Sequence, residues 1–201
     1  GGAARLKIVA PMLSRIANFD DADPLRMEEN VDFAFVRPGD PLPRDADVVL
    51  LLGTKSTLGD LHFLRAQGWH HDIIAHARAG GRVTGLCGGF QLLGQAICDP
   101  GGVDGVAGAA QGLGLLQVET IMHADKAVRP VSGRCARSGV AVHGYEIHMG
   151  STSGTDCARP MLQLAHGPDG AVSVDGRIEG SYVHGIFHAD GFRREWLRRA
   201  G

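Results

Sequence analysis

Residues 84–94 read TGLCGGFQLLG, in which an apolar strand runs directly into Cys87 and a helix follows at once. Glycines at positions 85, 88 and 89 remove the β-carbons that would crowd so sharp a turn. This strand–turn–helix geometry holds a nucleophile at the carboxyl edge of a sheet. Amide N–H groups at the start of the helix favour a thiolate at Cys87 and an oxyanion beside it. The alternative is a buried structural cysteine at a strand end.

A second motif offers a base for this thiol. Residues 178–187 read IEGSYVHGIF, a short strand that ends at His184 and Gly185. A histidine at a strand terminus can point into the same cleft as a cysteine at a neighbouring strand end. We therefore predict a dyad in which the His184 imidazole takes the Cys87 proton and returns it to a leaving amine. The chain has ten histidines, so an ordinary surface role for His184 is the competing interpretation.

The pattern of apolar runs predicts an α/β fold with a mostly parallel sheet flanked by helices. Strands are predicted at Leu6–Val9, Val31–Val36, Val48–Leu52 and Val83–Leu86, and helices at Pro24–Glu29, Leu58–Gln67 and Trp69–Ala79. The helix after Cys87 is predicted to place Phe90, Leu93 and Ile97 on one face. A glycine-rich loop spans Pro100–Gly114, strand-like pieces follow, and a helix at about Gly191–Arg199 closes the chain. The later strands are predicted at Leu115–Ile121, Gly139–His143, Met161–His166, Ala171–Val174 and Ile178–Val183.

Composition limits the classes of function. The 201 residues are 44% hydrophobic and carry a net charge of −2, with acidic and basic residues interspersed, which suits one globular domain. No basic block indicates nucleic-acid binding, and no run of about 18 apolar residues indicates a membrane span. Four widely spaced cysteines predict a reducing, cytoplasmic location. Residues 1–5 read as an interdomain junction or an added remnant, and residues 6–201 as a single domain.

Several stretches resemble one known family. They are RIANFDDADPL at 15–25, GTKST at 53–57, GLCGGFQ at 85–91, GYEIHMG at 144–150 and GSYVHGIF at 180–187. Together they resemble the class I glutamine amidotransferase domains, of the cobyric acid synthase type. The likeness runs from about residue 6 to 193. It implies a flavodoxin-like three-layer sandwich.

The resemblance also implies roles for residues around Cys87 and His184. The loop containing Gly53 and Thr54 resembles the family loop that holds the oxyanion, with the amides of Thr54 and Gly88 as donors. Gln91 resembles the family residue that contacts bound glutamine. The GTKST stretch is not a phosphate-binding loop, because the glycine that such a motif requires is missing at Val48.

Two further groups of polar residues need an interpretation. Glu146 and His148 alternate along a strand or turn, so both face one side. They form either an exposed polar face or, as the resemblance favours, residues that support the site residues or handle the substrate. The histidines at 62, 70, 71 and 76 lack acidic or cysteine partners at metal spacing, so we predict no metal site.

The sequence departs from the broader class at Ile186. Many class I amidotransferases have a glutamate two residues after the catalytic histidine, which orients the imidazole, whereas Ile186 cannot accept a hydrogen bond. Domains of the cobyric acid synthase type share this absence. A backbone carbonyl or Glu146 is left to orient His184.

The resemblance implies a glutaminase that supplies ammonia to an ATP-dependent synthetase module, which amidates corrin carboxylates in cobalamin biosynthesis. We expect no cofactor in this domain; ATP and magnesium belong to the synthetase module, which we expect to precede this chain in one polypeptide. The alternatives are a stand-alone glutamyl hydrolase, or an amidotransferase for another acceptor such as cobyrinic acid or a cell-wall precursor. A non-catalytic interaction module is disfavoured, because it has no reason to keep Cys87, Gln91 and His184 together.

Overall fold

The computed structural model describes residues 4–201, and it contains strands and helices that alternate in the first half of the chain. The strands are β1 (Leu6–Pro11), β2 (Val31–Val36), β3 (Val48–Leu51), β4 (Arg82–Leu86), β5 (Ala96–Asp99), β6 (Gly108–Gln111), β7 (Glu119–Cys135), β8 (Ala141–Ser153), β9 (Leu162–Leu164), β10 (Gly167–Asp169), β11 (Ala171–Val172), β12 (Ile178–Ser181) and β13 (Val183–His184). The helices are α1 (Asp23–Arg26), α2 (Thr57–Ala66), α3 (Trp69–Arg78), α4 (Gly88–Leu92) and α5 (Asp190–Ala200). Short 3-10 turns occupy Phe19–Ala22, Thr155–Ala158 and Ile186–His188. The proposed junction at residues 1–5 lies largely outside the described residues.

A six-stranded sheet forms the centre of the fold, in the order β11-β12-β4-β3-β1-β2. All neighbouring pairs are parallel except β11 with β12. The carboxyl ends of β1, β3, β4 and β12 therefore gather at one edge, where loops can bring side chains together. Cys87, the predicted nucleophile, lies at this edge directly after β4.

Both faces of this sheet are buried at its central strands β3 and β4, as the continuous apolar runs predict. Alternate residues of β3 belong to different clusters: Val48 and Leu50 pack with Phe192 and Trp196 of α5, whereas Val49 and Leu51 pack with α2 and α3 on the opposite face. Helices thus cover both faces, and the predicted three-layer arrangement is confirmed.

A second sheet, largely antiparallel, covers the site from the other side. Its path is β10-β9-β7-β5-β6, with β8 paired to β7 and β13 paired to β8. The long β7–β8 hairpin replaces the separate short pieces predicted at Leu115–Ile121 and Gly139–His143, and its register shifts between Ile121 and Lys126. Through β13, this sheet carries His184 to the site.

The helix after Cys87 is shorter than predicted. It ends at Leu92, and Ile97 lies in β5 rather than on a helical face shared with Phe90. A β-carbon at Gly94 would approach the Val118 carbonyl oxygen to 2.7 Å, so the backbones are in close contact here. The chain leaves the helix to make that contact, which sequence periodicity does not predict. No described helix is long and apolar enough to cross a membrane.

Candidate active site

Cys87 occupies a strained turn between β4 and α4. Its φ of 54° and ψ of −113° lie outside the regions that L-residues favour, and only Asn18 among the other described non-glycine residues also has a positive φ. The backbone is held there because Cys87 N–H donates to the Ser181 carbonyl at 2.8 Å. A β-carbon at Gly89 would lie 2.0 Å from the Leu51 carbonyl oxygen, so that position requires glycine. Such local strain is typical of functional turns, where the surroundings stabilise an unfavourable conformation.

His184 faces Cys87 and is held from behind by Asp21. The His184 and Asp21 side chains are each 1% exposed, and Nδ1 of the imidazole lies 2.7 Å from Asp21 Oδ2. The other carboxylate oxygen, Oδ1, accepts the Gly185 N–H at 2.8 Å. The Tyr145 ring stacks on the imidazole with centroids 5.4 Å apart. Asp21 therefore fixes both the orientation of the ring and the turn that follows it.

Asp21 therefore orients His184 in place of the two candidates that the sequence left open, a backbone carbonyl and Glu146. Glu146 does not orient His184: its oxygens lie 3.1 Å from Arg129 Nε and 3.1 Å from His166 Nε2. Asp21 belongs to the RIANFDDADPL stretch, yet it is 163 residues from His184 in the sequence. No spacing rule links residues so far apart, and only the resemblance drew attention to that stretch.

The charge state of His184 follows from these contacts. Burial by itself lowers the pKa of His184, but the hydrogen bonds and charges of Asp21 and Cys87 outweigh it and raise the pKa of His184 to about 10. The imidazole is therefore protonated at neutral pH. An imidazolium beside Cys87 holds a proton ready for a leaving group.

Gly53, Thr54 and Gly88 form the wall of the cavity beside Cys87 and the imidazole. A β-carbon at Gly53 would lie 3.2 Å from His184 Cε1 and 3.8 Å from Cys87 Cβ, which places this loop against the pair. A β-carbon at Gly88 would lie 3.1 Å from the Thr54 nitrogen. Within residues 4–201, neither the Thr54 nor the Gly88 amide donates a hydrogen bond to the protein. Two unused donors near one another are what an oxyanion site requires.

Asp60 anchors this loop to the segment that leads to Asp21. It is fully buried, and it accepts hydrogen bonds from the Thr54 hydroxyl at 2.5 Å and the Ser14 hydroxyl at 2.6 Å. The Arg15 N–H also donates to it, at 3.1–3.2 Å to the two oxygens. Ala17 N–H then donates to the Gly53 carbonyl at 2.8 Å. The loop that contains Gly53 and Thr54 and the loop before Asp21 are thus built as one unit.

Gln91 and His148 also reach the cavity. Both amide hydrogens of Gln91 donate to the protein, at 3.2 Å to the Met149 carbonyl and 3.2 Å to the Tyr182 hydroxyl, and its Oε1 accepts from the Thr57 hydroxyl at 2.9 Å. Any contact between Gln91 and a substrate is therefore limited to Oε1. His148 stacks on Tyr182 with centroids 3.8 Å apart, and burial lowers its pKa.

A single cavity of about 580 Å³ brings most of the predicted site residues together. It is lined by Gly53, Thr54, Cys87, Gly88, Gln91, His148 and His184, among others, but not by Glu146. The histidines at 70, 71 and 76 lie on α3, away from the cavity, where His76 contacts the Arg82 carbonyl. Among the described residues, no group of three or more His, Cys, Asp or Glu side chains is arranged to hold a metal ion.

Comparison with known proteins places this geometry in a family. Residues 7–192 match the model of the CobB/CobQ-like glutamine amidotransferase domain. The chain belongs to this family. Among its relatives, cobyric acid synthase of Hyphomonas neptunium is 66% identical over 202 residues, and that of a Caulobacter species is 56% identical over 201. The match covers the whole chain but only 41% of each of these two relatives, so the chain spans less than half of their length.

Solved structures confirm the fold of this amidotransferase domain. PurLQS from Thermotoga maritima superposes with a TM-score of 0.73 at 13% identity, covering 98% of this chain and all of that chain. A glutamine amidotransferase from Methylobacillus flagellatus gives 0.59 at 19% identity, covering 98% of this chain and 76% of the other. At such low identity these likenesses concern architecture alone. The expected class I amidotransferase fold is confirmed.

Proposed function

We propose that this chain is the glutaminase domain of a cobyric acid synthase. The observation that carries the proposal is the Asp21–His184 pair facing Cys87 at a strained turn. Relatives at up to 66% identity are named cobyric acid synthase, which supports a corrin carboxylate as the acceptor of the ammonia. The domain would hydrolyse glutamine and release ammonia for transfer to a corrin carboxylate.

The proposed reaction proceeds through a thioester. The Cys87 thiolate attacks the side-chain amide carbon of glutamine, and the Thr54 and Gly88 amides stabilise the oxyanion. The carbon–nitrogen bond breaks as the His184 imidazolium gives its proton to the departing nitrogen, releasing ammonia and leaving a γ-glutamyl thioester. Neutral His184 then removes a proton from water, which attacks the thioester. Glutamate leaves and the thiolate–imidazolium pair is restored.

The remainder of the reaction belongs to sequence outside this chain. More than half of each cobyric acid synthase relative lies beyond the match, which supports a separate synthetase portion. We propose that this portion precedes the domain, binds ATP and magnesium, and activates the carboxylates of adenosylcobyrinic acid a,c-diamide for amidation to adenosylcobyric acid. The four free cysteines support a cytoplasmic location.

Selective labelling tests the nucleophile. A diazo-ketone analogue of glutamine is expected to modify Cys87 and to spare Cys98, Cys135 and Cys157, because only Cys87 faces the imidazolium. Peptide mass spectrometry locates the adduct. Cys98 is exposed and serves as an internal control, since iodoacetamide should label it freely. Labelling of another cysteine by the diazo-ketone, or full glutaminase activity in Cys87→Ala, would contradict the assignment.

A further inference from the structure

Tyr145 packs on His184 but does not line the catalytic cavity. It lies on β8 directly opposite His184 on β13, so both side chains project from the same face of the second sheet. Their rings stack with centroids 5.4 Å apart and planes inclined by 27°. The two strands are in close contact beside this pair, because a β-carbon at Gly144 would overlap the His184 carbonyl oxygen. Tyr145 is therefore held against the imidazole from outside the cavity that contains Cys87.

Asp21 and Tyr145 hold different parts of the imidazole. Asp21 binds one edge of the ring, through Nδ1, whereas the Tyr145 ring covers a face. A hydrogen bond at one edge tolerates tilting of the ring plane, and a ring packed on the face opposes that tilting. The Tyr145 hydroxyl also donates to Asn18 Oδ1 at 3.5 Å, and Asn18 begins the 3-10 turn that carries Asp21. One tyrosine thus contacts both the histidine and the turn that positions its acid.

An aromatic face also favours a charged imidazole over a neutral one. The negative face of a π system attracts a cation within about 6 Å of the ring centroid, so a ring stacked on His184 stabilises the imidazolium. The titratable side chains against this imidazole are Asp21 on the 3-10 turn, Cys87 after β4 and Tyr145 on β8. Burial and the nearby carboxylates of Asp21 and Asp20 raise the pKa of the Tyr145 phenol. Tyr145 is therefore uncharged at neutral pH and contributes its ring and a hydroxyl donor.

We propose that Tyr145 is a positioning residue for the general acid: its ring holds the His184 imidazolium in place and keeps it protonated for transfer to the leaving nitrogen. This inference rests on the proposed glutaminase function and adds a residue that acts through His184 and not on the substrate. It predicts that loss of the ring lowers turnover without changing glutamine binding. It also predicts that His184 then gives up its proton at a lower pH, whereas a ring that only fills space in the second sheet would leave that pH unchanged.

Comparing Tyr145→Phe with Tyr145→Leu isolates the ring, because neither variant has a phenol that titrates. In the full-length protein, Tyr145→Leu is expected to lower kcat for glutamine hydrolysis by about 10- to 100-fold, since a misplaced acid transfers its proton poorly. KM should stay within about 2-fold of wild type, because Tyr145 does not line the cavity. Tyr145→Phe should keep kcat within about 3-fold of wild type, since only a long hydrogen bond is lost. Phe63→Leu, which removes a half-buried ring on α2 outside the cavity lining, is the matched control and should leave both constants unchanged.

Histidine titration gives a readout that does not depend on turnover. NMR of the protein with isotope-labelled histidine follows the protonation of His184, whose signal is identified by its loss in His184→Gln. The titration midpoint should lie about 0.5 to 1 pH unit lower in Tyr145→Leu than in Tyr145→Phe. Equal midpoints, equal losses of kcat in the two variants, or a wild-type kcat in folded Tyr145→Leu would overturn the role of the ring. Failure of the wild-type protein to hydrolyse glutamine would instead overturn the proposed function, while the two midpoints would still test the contact between Tyr145 and His184.

Discussion

At the scale of single residues, the site depends on an acid that local sequence patterns do not reveal. Cys87 could be predicted because glycines and an immediate helix mark its turn, and His184 because it ends a short strand. No local sequence pattern distinguishes Asp21 from other acidic residues. Asp21 is brought to His184 by the 3-10 turn at Phe19–Ala22, which follows the left-handed Asn18. A contact across 163 residues is a property of the tertiary fold, so the orienting group could not be derived from spacing.

Replacing Asp21 by Asn tests its effect on His184. The substitution keeps the shape but removes the charge, so the pKa of His184 should fall from about 10 toward its ordinary 6.5. The imidazolium that faces Cys87 is then less populated at pH 8. We expect glutamine hydrolysis to fall by about 10²- to 10⁴-fold, as for other histidines that lose an orienting carboxylate. Steady-state kinetics measure this loss.

The same variant has a defined effect on stability. A histidine whose pKa is raised in the folded state stabilises that state fully below pH 6.5, and the contribution disappears as pH rises through about 10. The difference in unfolding free energy between wild type and Asp21→Asn should therefore shrink between pH 6.5 and 10. Urea denaturation across that range measures it. A difference independent of pH would show that Asp21 does not act through the charge of His184.

At the scale of elements, apolar runs predicted the central sheet more closely than the second one. The strand at Val31–Val36 has the predicted bounds, although it is an edge strand with partly exposed residues. The strands at Val48–Leu51 and Arg82–Leu86 differ from the prediction by one residue, because their apolar runs are continuous and buried on both faces. The β7–β8 hairpin is mostly exposed and lacks that signal. Gly133 lies within this hairpin, although a glycine usually weakens a predicted strand. It allows β9 to approach closely, because a β-carbon there would lie 2.1 Å from the Gln163 carbonyl oxygen.

Asp60 holds together the two loops at the site, one with Ser14 and Arg15 and the other with Thr54. Asp60→Ala would leave the Ser14 and Thr54 hydroxyls and the Arg15 N–H without their acceptor. We expect a loss of about 2–4 kcal/mol in unfolding free energy and slower labelling of Cys87 by the diazo-ketone, because the Thr54 amide is no longer positioned. Asp60→Asn retains one of the two acceptor oxygens and should lose less of both. Chemical denaturation and labelling rates measure the two effects.

Asp32→Ala is the control for the Asp60 variants, since Asp32 is an exposed acid on β2. It should match wild type in stability and in labelling rate. If Asp60→Ala lost stability but labelled Cys87 at the wild-type rate, Asp60 would serve the fold without positioning the oxyanion loop.

At the scale of the whole molecule, the two sheets meet at the site and each supplies half of it. The central sheet carries Cys87 and the loop that contains Gly53 and Thr54 at its carboxyl edge, and the second sheet carries His184 on β13. β12 of the central sheet pairs with β4 and leads into β13 after one residue, so the chain that joins the two sheets holds the imidazole close to the thiol. Everything that the proposed ammonia release requires lies on these two sheets and the loops joined to them. Amidation itself is assigned to sequence outside this chain, so the two half-reactions should be separable.

Supplying ammonia from outside tests that separation. In the full-length protein, His184→Ala should abolish glutamine-dependent amidation of the corrin acid. The thiolate loses the imidazolium that pairs with it, and the departing nitrogen loses its proton donor. Amidation from ammonium salts should continue at close to the wild-type rate, and Cys87→Ala should behave in the same way. Ile186→Glu should gain little, since Asp21 already holds the imidazole. Product formation from each nitrogen source is followed by chromatography, with circular dichroism as the check on folding. Loss of the ammonia-dependent reaction in a folded His184→Ala protein would mean that His184 acts beyond glutamine hydrolysis, and the proposed division between the chain and its synthetase portion would be wrong.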